Sequence, residues 1–329
     1  MPMNAATILA AIARHVKYPA ILACATIGLA PETGQVFPPY TLANTALRVL
    51  PRSSNGRSYM LYVALPFSYS TEPTRKYPVL YMCDGYWSFP HVYSDFGGLV
   101  NEKVAPECII IGLGYAGENL DYGKMRLHEL LPVNNGFSAD AGHADEFLNV
   151  LETEIIPFVE REYRTDPSRR VLGGGSYGGV FTLYTLFTKP ELFWGYMALS
   201  PVVNVGRWPE ALPGGAHDGW MFGYEDAYSK RGRVLKARLF ISVGALEWSE
   251  QLESIKRFDS LLVKRNYQGL SYRFRVVEGG RHVGTIAEVL GLQYVFEPLA
   301  PETGPRKEFV IKRQAPEMSP PSAAPQSGK

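Results

Sequence analysis

Residues 169–187 read RRVLGGGSYGGVFTLYTLF. An apolar strand runs into a cluster of glycines around Ser176, and a helix-length apolar stretch leaves it. Three glycine templates compete for this turn. The dinucleotide fingerprint G-x-G-x-x-G fits Gly173, Gly175 and Gly178, but it calls for an acid about 20 residues on, near the end of the next strand. That strand ends ALSPVVNV without an acid, and Glu191 precedes it. A phosphate P-loop needs Lys-Ser/Thr after its last glycine, where Val180-Phe181 stands instead. The third template, G-x-S-x-G, fits Gly174, Ser176 and Gly178. A serine on a sharp strand-to-helix turn has a strained backbone, and side chains two residues either side would clash. The turn lifts the hydroxyl above the sheet edge, at a helix N-terminus whose N–H groups face a developing oxyanion.

Outward from this turn the chain alternates strand and helix. YPVLYMCDG (77–85) and CIIIGLGY (108–115) are continuous apolar runs, as expected of parallel strands covered on both faces. WGYMALSP (194–201), ARLFISVGA (237–245) and YRFRVVEGG (272–280) read as three further strands. TALRVLPR (45–52) and SYMLYVALP (58–66) read as a hairpin turned by SNG. Helices are expected over 144–163, where Phe147, Leu151, Ile155 and Phe158 recur at spacings of three and four, and over 249–266. Pro157 should bend or shorten the first. The pattern predicts an α/β fold: a mostly parallel central sheet with antiparallel first strands and helices on both faces. Two long connections, 116–143 and 203–233, interrupt it, and loops of that length are usually functional. The second carries Trp208, Trp220, Phe222, Tyr224 and Tyr228. That aromatic surface requires cover, from core or from ligand.

Composition narrows the partner classes. Of 329 residues, 46% are hydrophobic and 20% charged, an ordinary globular balance. Lys+Arg number 33 against 32 Asp+Glu, so no basic excess is available to neutralise a phosphate backbone, and nucleic acid is not an expected partner. The three cysteines, Cys24, Cys83 and Cys108, form no CxxC pair and are odd in number, so neither a disulfide framework nor a zinc ribbon is indicated. Cys83 and Cys108, beside apolar runs, read as small buried hydrophobes. There is no HExxH, and His143 with Asp145 is an isolated pair, so no metal is expected.

A serine hydroxyl is a poor nucleophile at neutral pH. It needs a base within hydrogen-bonding reach and an acid that orients the base. In strand-turn-helix serine enzymes the partners follow in the order Ser, acid, His. Two histidines lie downstream, His217 and His282. His217 falls inside the aromatic insertion. His282, in VVEGGRHVGT, follows the last strand in a glycine-rich loop, where a base can swing over the turn. The acid should follow ARLFISVGA, where Glu247 is nearest the strand end and Glu250 is the alternative. The oxyanion needs two backbone donors: the N–H of Tyr177, after the nucleophile, and the N–H of Tyr86, in the loop after the strand at 77–83.

YPVLYMCDG, the GLGY strand, an arginine followed by ELLP, GGGSYGG, LSP, VGALE and GGRH, in this order, together resemble the enterochelin-esterase-like branch of the α/β-hydrolases. That branch also takes in esterase D and the mycolyltransferases. The resemblance covers about 45–295. It implies a serine hydrolase acting on small-molecule carboxylic esters, without metal or organic cofactor. It makes Ser176 the nucleophile, Glu247 the acid and His282 the base, with Tyr86 and Tyr177 as oxyanion donors. Relatives often carry Asp at the acid position. Lys124, Arg126 and Arg281 would favour an anionic substrate such as a catecholate siderophore, unless they are solvated or structurally paired. An acyltransferase could use the same residues, and a non-catalytic binding protein could keep the fold.

The expected organisation is a leader over 1–40, a catalytic domain over 41–300 containing the two insertions, and a tail over 301–329, disordered from about 314. A cationic segment (Arg14, His15, Lys17) precedes YPAILACATIGLA, and Ala23-Cys24-Ala25 has the form of a cleavage site. This favours an exported protein over a cytoplasmic one. No uninterrupted apolar run reaches the ~18–20 residues of a spanning helix.

Overall fold

The computed structural model describes residues 40–134, 136, 138–204 and 219–301. The signal-like leader with Cys24, most of the aromatic insertion with Trp208 and His217, and the proline-rich tail lie outside the described residues. The chain divides into two units, 1–42 and 43–329. Every strand and helix among the described residues belongs to the second.

Eight strands form one sheet: β1 (Thr45–Val49), β2 (Tyr59–Ala64), β3 (Tyr77–Met82), β4 (Ile109–Tyr115), β5 (Thr165–Gly175), β6 (Gly195–Leu199), β7 (Val234–Gly244) and β8 (Gln268–Val277). Their order is β1-β2-β4-β3-β5-β6-β7-β8. β1 and β2 form the antiparallel hairpin and β2 meets β4 antiparallel. Every pairing from β4 through β8 is parallel. Every residue of β4 and of β6 is buried, which is why both runs lack alternation. The expected α/β architecture is the one observed.

The helices are α1 (Gly85–Asn101), α2 (Tyr122–Leu130), α3, α4 (Tyr177–Thr188), α5 (Trp220–Arg231), α6 (Ser249–Arg265) and α7 (Thr285–Phe296). α3 is continuous but composite: Ala144–Val150, a π-type middle Leu151–Ile155, then Ile156–Glu162. Pro157 has no N–H, and its ring presses on the carbonyl four residues back. The widened turn accommodates that conflict, and the helix runs on to Glu162 without the early end that was one expectation.

The 116–143 connection is not structureless, because α2 lies within it. Glu129, fully buried, ties α2 to the hairpin: Tyr59 Oη donates to its Oε1 at 2.7 Å, and Arg57 Nε lies 3.4 Å away. The second connection contains α5. Its Tyr224 packs on Tyr184 of α4, Phe222 on Phe258 of α6, and Tyr228 on Phe187 and Tyr267. These aromatics are therefore covered by core.

α1 forms although Pro90, Gly97 and Gly98 disfavour a helix. Phe89, Val92, Phe96 and Leu99, at helical spacings, are all buried. Burial stabilises by about 1.5–3 kcal/mol per large apolar side chain, against about 1 kcal/mol for each Gly and about 3 for Pro. Packing outweighs propensity. Among the described residues no helix is long and apolar enough to cross a membrane.

Candidate active site

The carboxyl ends of β3, β5, β6, β7 and β8 meet at one edge of the sheet, and backbone hydrogen bonds stitch their loops together. Cys83 N–H donates to Gly173 O, Ser176 N–H to Leu199 O, and Ser200 N–H to Ser242 O, each at 2.9 Å. Leu246 N–H donates to Gly280 O at 2.8 Å. The side chains at these strand ends are thereby held in one place.

Ser176 sits between β5 and α4 at φ 57°, ψ −118°, a conformation that L-residues rarely adopt. The flanking glycines are required by space. A Cβ on Gly174 would lie 2.5 Å from the carbonyl carbon of Gly178, and one on Gly178 would lie 2.9 Å from Cys83 Cβ.

The loop after β8 comes directly against this turn. A Cβ on Gly175 would lie 2.5 Å from the Val283 side chain, next to His282. The His282 Nδ1–H donates to Glu247 Oε1 at 2.6 Å. The Glu247 side chain is fully buried, and its Oε2 accepts from Ser200 Oγ at 3.3 Å. The Trp248 ring lies against the imidazole, centroids 5.0 Å apart. Glu247, not Glu250, is the carboxylate that His282 reaches. With Nδ1 committed to Glu247, Nε2 is left as the proton acceptor. Ser176 and His282 line one cleft of about 370 Å³. Among the described residues their side chains share no direct hydrogen bond; such contacts tighten when substrate arrives.

Tyr86 and Tyr177 lie in the first turns of α1 and α4. The first N–H groups of a helix have no intrahelical partner, and among the described residues neither of these two has an acceptor. Asp84, just before α1, takes the left-handed conformation (φ 58°). Arg126 of α2 grips it with both arms: Nε donates to Oδ1 at 2.6 Å and Nη2 to Oδ2 at 3.0 Å. Burial holds the Asp84 carboxyl above its ordinary value, and the guanidinium only partly offsets the rise.

Of the three expected substrate cations, Arg126 lines the cleft. Arg126 is spent on Asp84, Lys124 is exposed and paired with Asp121 at 3.6 Å, and Arg281 is exposed. Sequence reasoning missed Trp87, His91 and Glu288, which also line the cleft. His91 Nδ1–H donates to Glu288 Oε1 at 2.9 Å. That hydrogen bond pushes the imidazole up, while burial pushes Glu288 up. The two residues are 197 apart along the chain, so no local motif announces them.

Among the described residues, two groups have the donor types of a metal site: His91, Asp95 and Glu288, and His128, His143 and Glu146. In each, an imidazole nitrogen already faces a carboxylate, at 2.9 Å and 3.2 Å. Each group thus already holds a histidine–carboxylate hydrogen bond of its own. A more apolar hollow of about 320 Å³, lined by Phe67, Phe96, Val100 and Ile110, contains neither Ser176 nor His282.

The chain is 27% identical over 185 residues to the ferri-bacillibactin esterase BesA of Bacillus subtilis, spanning 50% of this chain and 61% of that one. It is 32% identical over 166 residues to an apo-salmochelin esterase of Escherichia coli, 47% of this chain and 50% of that one. It thus spans only half to three fifths of those two relatives. A siderophore triacetylfusarinine C esterase of Aspergillus fumigatus is 28% identical over 252 residues, 66% of this chain and 84% of that one. Among solved structures, the BES protein of Bacillus cereus superposes with a TM-score of 0.67 at 22% identity, over 80% of this chain and 98% of that one. That likeness shows a shared fold. Residues 53–285 match the model of the esterase family described as "Putative esterase", and on that match, well over half of the 329 residues, the chain belongs to this family.

Proposed function

We propose that this protein hydrolyses carboxylic esters of small molecules through an acyl-Ser176 intermediate. The observation that carries the reading is the strained Ser176 turn facing, across one cleft, an imidazole whose far nitrogen is fixed by a buried carboxylate. In this reading His282 Nε2 takes the hydroxyl proton as Ser176 Oγ attacks the ester carbonyl, and the tetrahedral oxyanion is met by the N–H groups of Tyr86 and Tyr177. His282 then returns the proton to the leaving alcohol. Water, activated by the same imidazole, releases the acid. Glu247 keeps the ring oriented and stabilises the imidazolium without becoming protonated itself.

Three relatives are named for siderophore esters, and the cleft wall includes the aromatic rings of Tyr86 and Trp87. A siderophore ester is therefore the proposed substrate. The chemistry is tested with p-nitrophenyl acetate: Ser176→Ala should lose at least about a thousandfold in kcat/KM, and full retention would overturn the assignment. The substrate class is tested by comparing kcat/KM for a siderophore trilactone with that for simple acetates. No preference for the trilactone would remove that part of the proposal and leave the esterase chemistry standing.

A further inference from the structure

We propose that Arg126 is a positioning residue that keeps the Asp84 carboxylate out of the oxyanion hole. The inference rests on the catalytic reading above. Asp84 is the residue immediately before α1, and at a helix N-cap an aspartate ordinarily turns its side chain onto the N–H of the second or third helical residue. Here the second residue is Tyr86, the expected oxyanion donor. Asp84 makes no such bond, although its carbonyl accepts from Trp87 and Ser88 N–H at 2.8 Å each. Its carboxylate also borders the other donor's helix, because the Cβ position of Gly178, in the first turn of α4, lies 3.4 Å from Asp84 Oδ2.

An anion between two helix N-termini is where an oxyanion is meant to form. Left free, Asp84 would compete for the donors and repel the developing charge. Arg126 removes both effects. Its planar fork occupies both carboxylate oxygens and neutralises them. The same guanidinium lies 5.5 Å from the centre of the Tyr177 ring, so one side chain touches the residues that frame both donors. This also accounts for an aspartate at this turn: Asp tolerates the left-handed conformation, and its partner cancels its charge.

The test uses the full chain and p-nitrophenyl acetate, with kcat referred to active sites titrated by a fluorophosphonate. Arg126→Met should lower kcat by about 10²–10³-fold, the usual effect of losing one oxyanion donor, with KM changed by less than about threefold. Adding Asp84→Gly should recover at least tenfold, because glycine holds the turn and has no carboxylate. Adding Asp84→Asn should not, because its amide oxygen still accepts from the same N–H groups. A merely structural pair predicts the reverse order, since Asn fills the Asp volume and Gly leaves a gap. Wild-type kcat in Arg126→Met, or recovery with Asn at least equal to that with Gly, would overturn the inference. A wild-type enzyme that neither reacts with the fluorophosphonate nor cleaves the ester would instead overturn the catalytic reading itself.

Discussion

At the scale of single residues, the site is built on strain and on one choice of carboxylate. Ser176 holds φ 57°, ψ −118°, and a non-glycine residue in so sparse a region costs about 1–3 kcal/mol. Glycine adopts such angles freely, though it loses about 0.4–1 kcal/mol through the entropy of the unfolded chain. Ser176→Gly should therefore be more stable than Ser176→Ala by about 1 kcal/mol, seen as roughly 2–4 °C in Tm by calorimetry. Equal melting points would show that the turn is not strained. The second residue-scale expectation separates Glu247 from Glu250. Glu247→Gln keeps an acceptor near His282 but loses the charge that holds the tautomer, so kcat should fall by about 10²–10⁴-fold. Glu250→Gln should stay within about twofold, and comparable losses in the two variants would return the acid to doubt. The sequence put both carboxylates just after β7, Glu247 nearest the strand end and Glu250 in the first turn of the expected helix. Only the fold shows which one His282 reaches, because a histidine 35 residues further on shares no local periodicity with either.

At the scale of elements, all eight strands were legible and four of the helices were not. β4 and β6 announce themselves as unbroken apolar runs because both faces are buried. α1 carries Pro90, Gly97 and Gly98, which speak locally against a helix that only tertiary burial sustains. α7 buries residues around much of its circumference, so it shows little of the one-sided periodicity that marks a surface helix. α2 is short and mostly polar, and its docking depends on Glu129, whose partners lie in the hairpin 70 residues away. Burial pushes that carboxyl from its ordinary value of 4.5 up to about 7. The folded state therefore binds a proton that the unfolded chain releases. The resulting stabilisation is present below about pH 4.5 and is lost as pH rises through 7, an effect on the order of 3 kcal/mol. Gln at this position does not titrate. The Tm of Glu129→Gln minus that of the native chain should thus increase steadily from pH 5 to pH 8, and a flat difference would mean that Glu129 titrates in its ordinary range.

At the scale of the whole molecule, function depends on loops that the sheet alone brings together. The Ser176 turn could be read because its glycine pattern lies within seven residues. The His282 loop could be read because strand order places it after the Glu247 loop. The pairings that hold the cleft walls could not: Asp84 with Arg126 spans 42 residues and His91 with Glu288 spans 197. The latter joins α1, whose start carries Tyr86, to α7, which directly follows the His282 loop, so it fastens the two sides of the cleft to each other. Its pH dependence is set by the groups present: His91 and Asp95 on α1, and Glu288 on α7. The His91 imidazole is raised chiefly by its hydrogen bond to Glu288, so its stabilisation is fully present below the ordinary histidine value and is lost as pH rises through the raised one. Glu288 and Asp95 are raised by burial, so acid milder than an ordinary carboxyl needs protonates Glu288 and breaks the pair from the other side. The clamp is therefore expected to act in a window, bounded on the acid side by the raised Glu288 carboxyl and on the alkaline side by the raised His91 imidazole. A double-mutant cycle with His91→Gln and Glu288→Gln, read from urea unfolding, should give a coupling free energy that peaks inside that window and falls on either side of it. A coupling that stays constant from pH 5 to 9 would mean that the pair is held as a neutral hydrogen bond, and the proposed electrostatic fastening of α1 to α7 would be wrong.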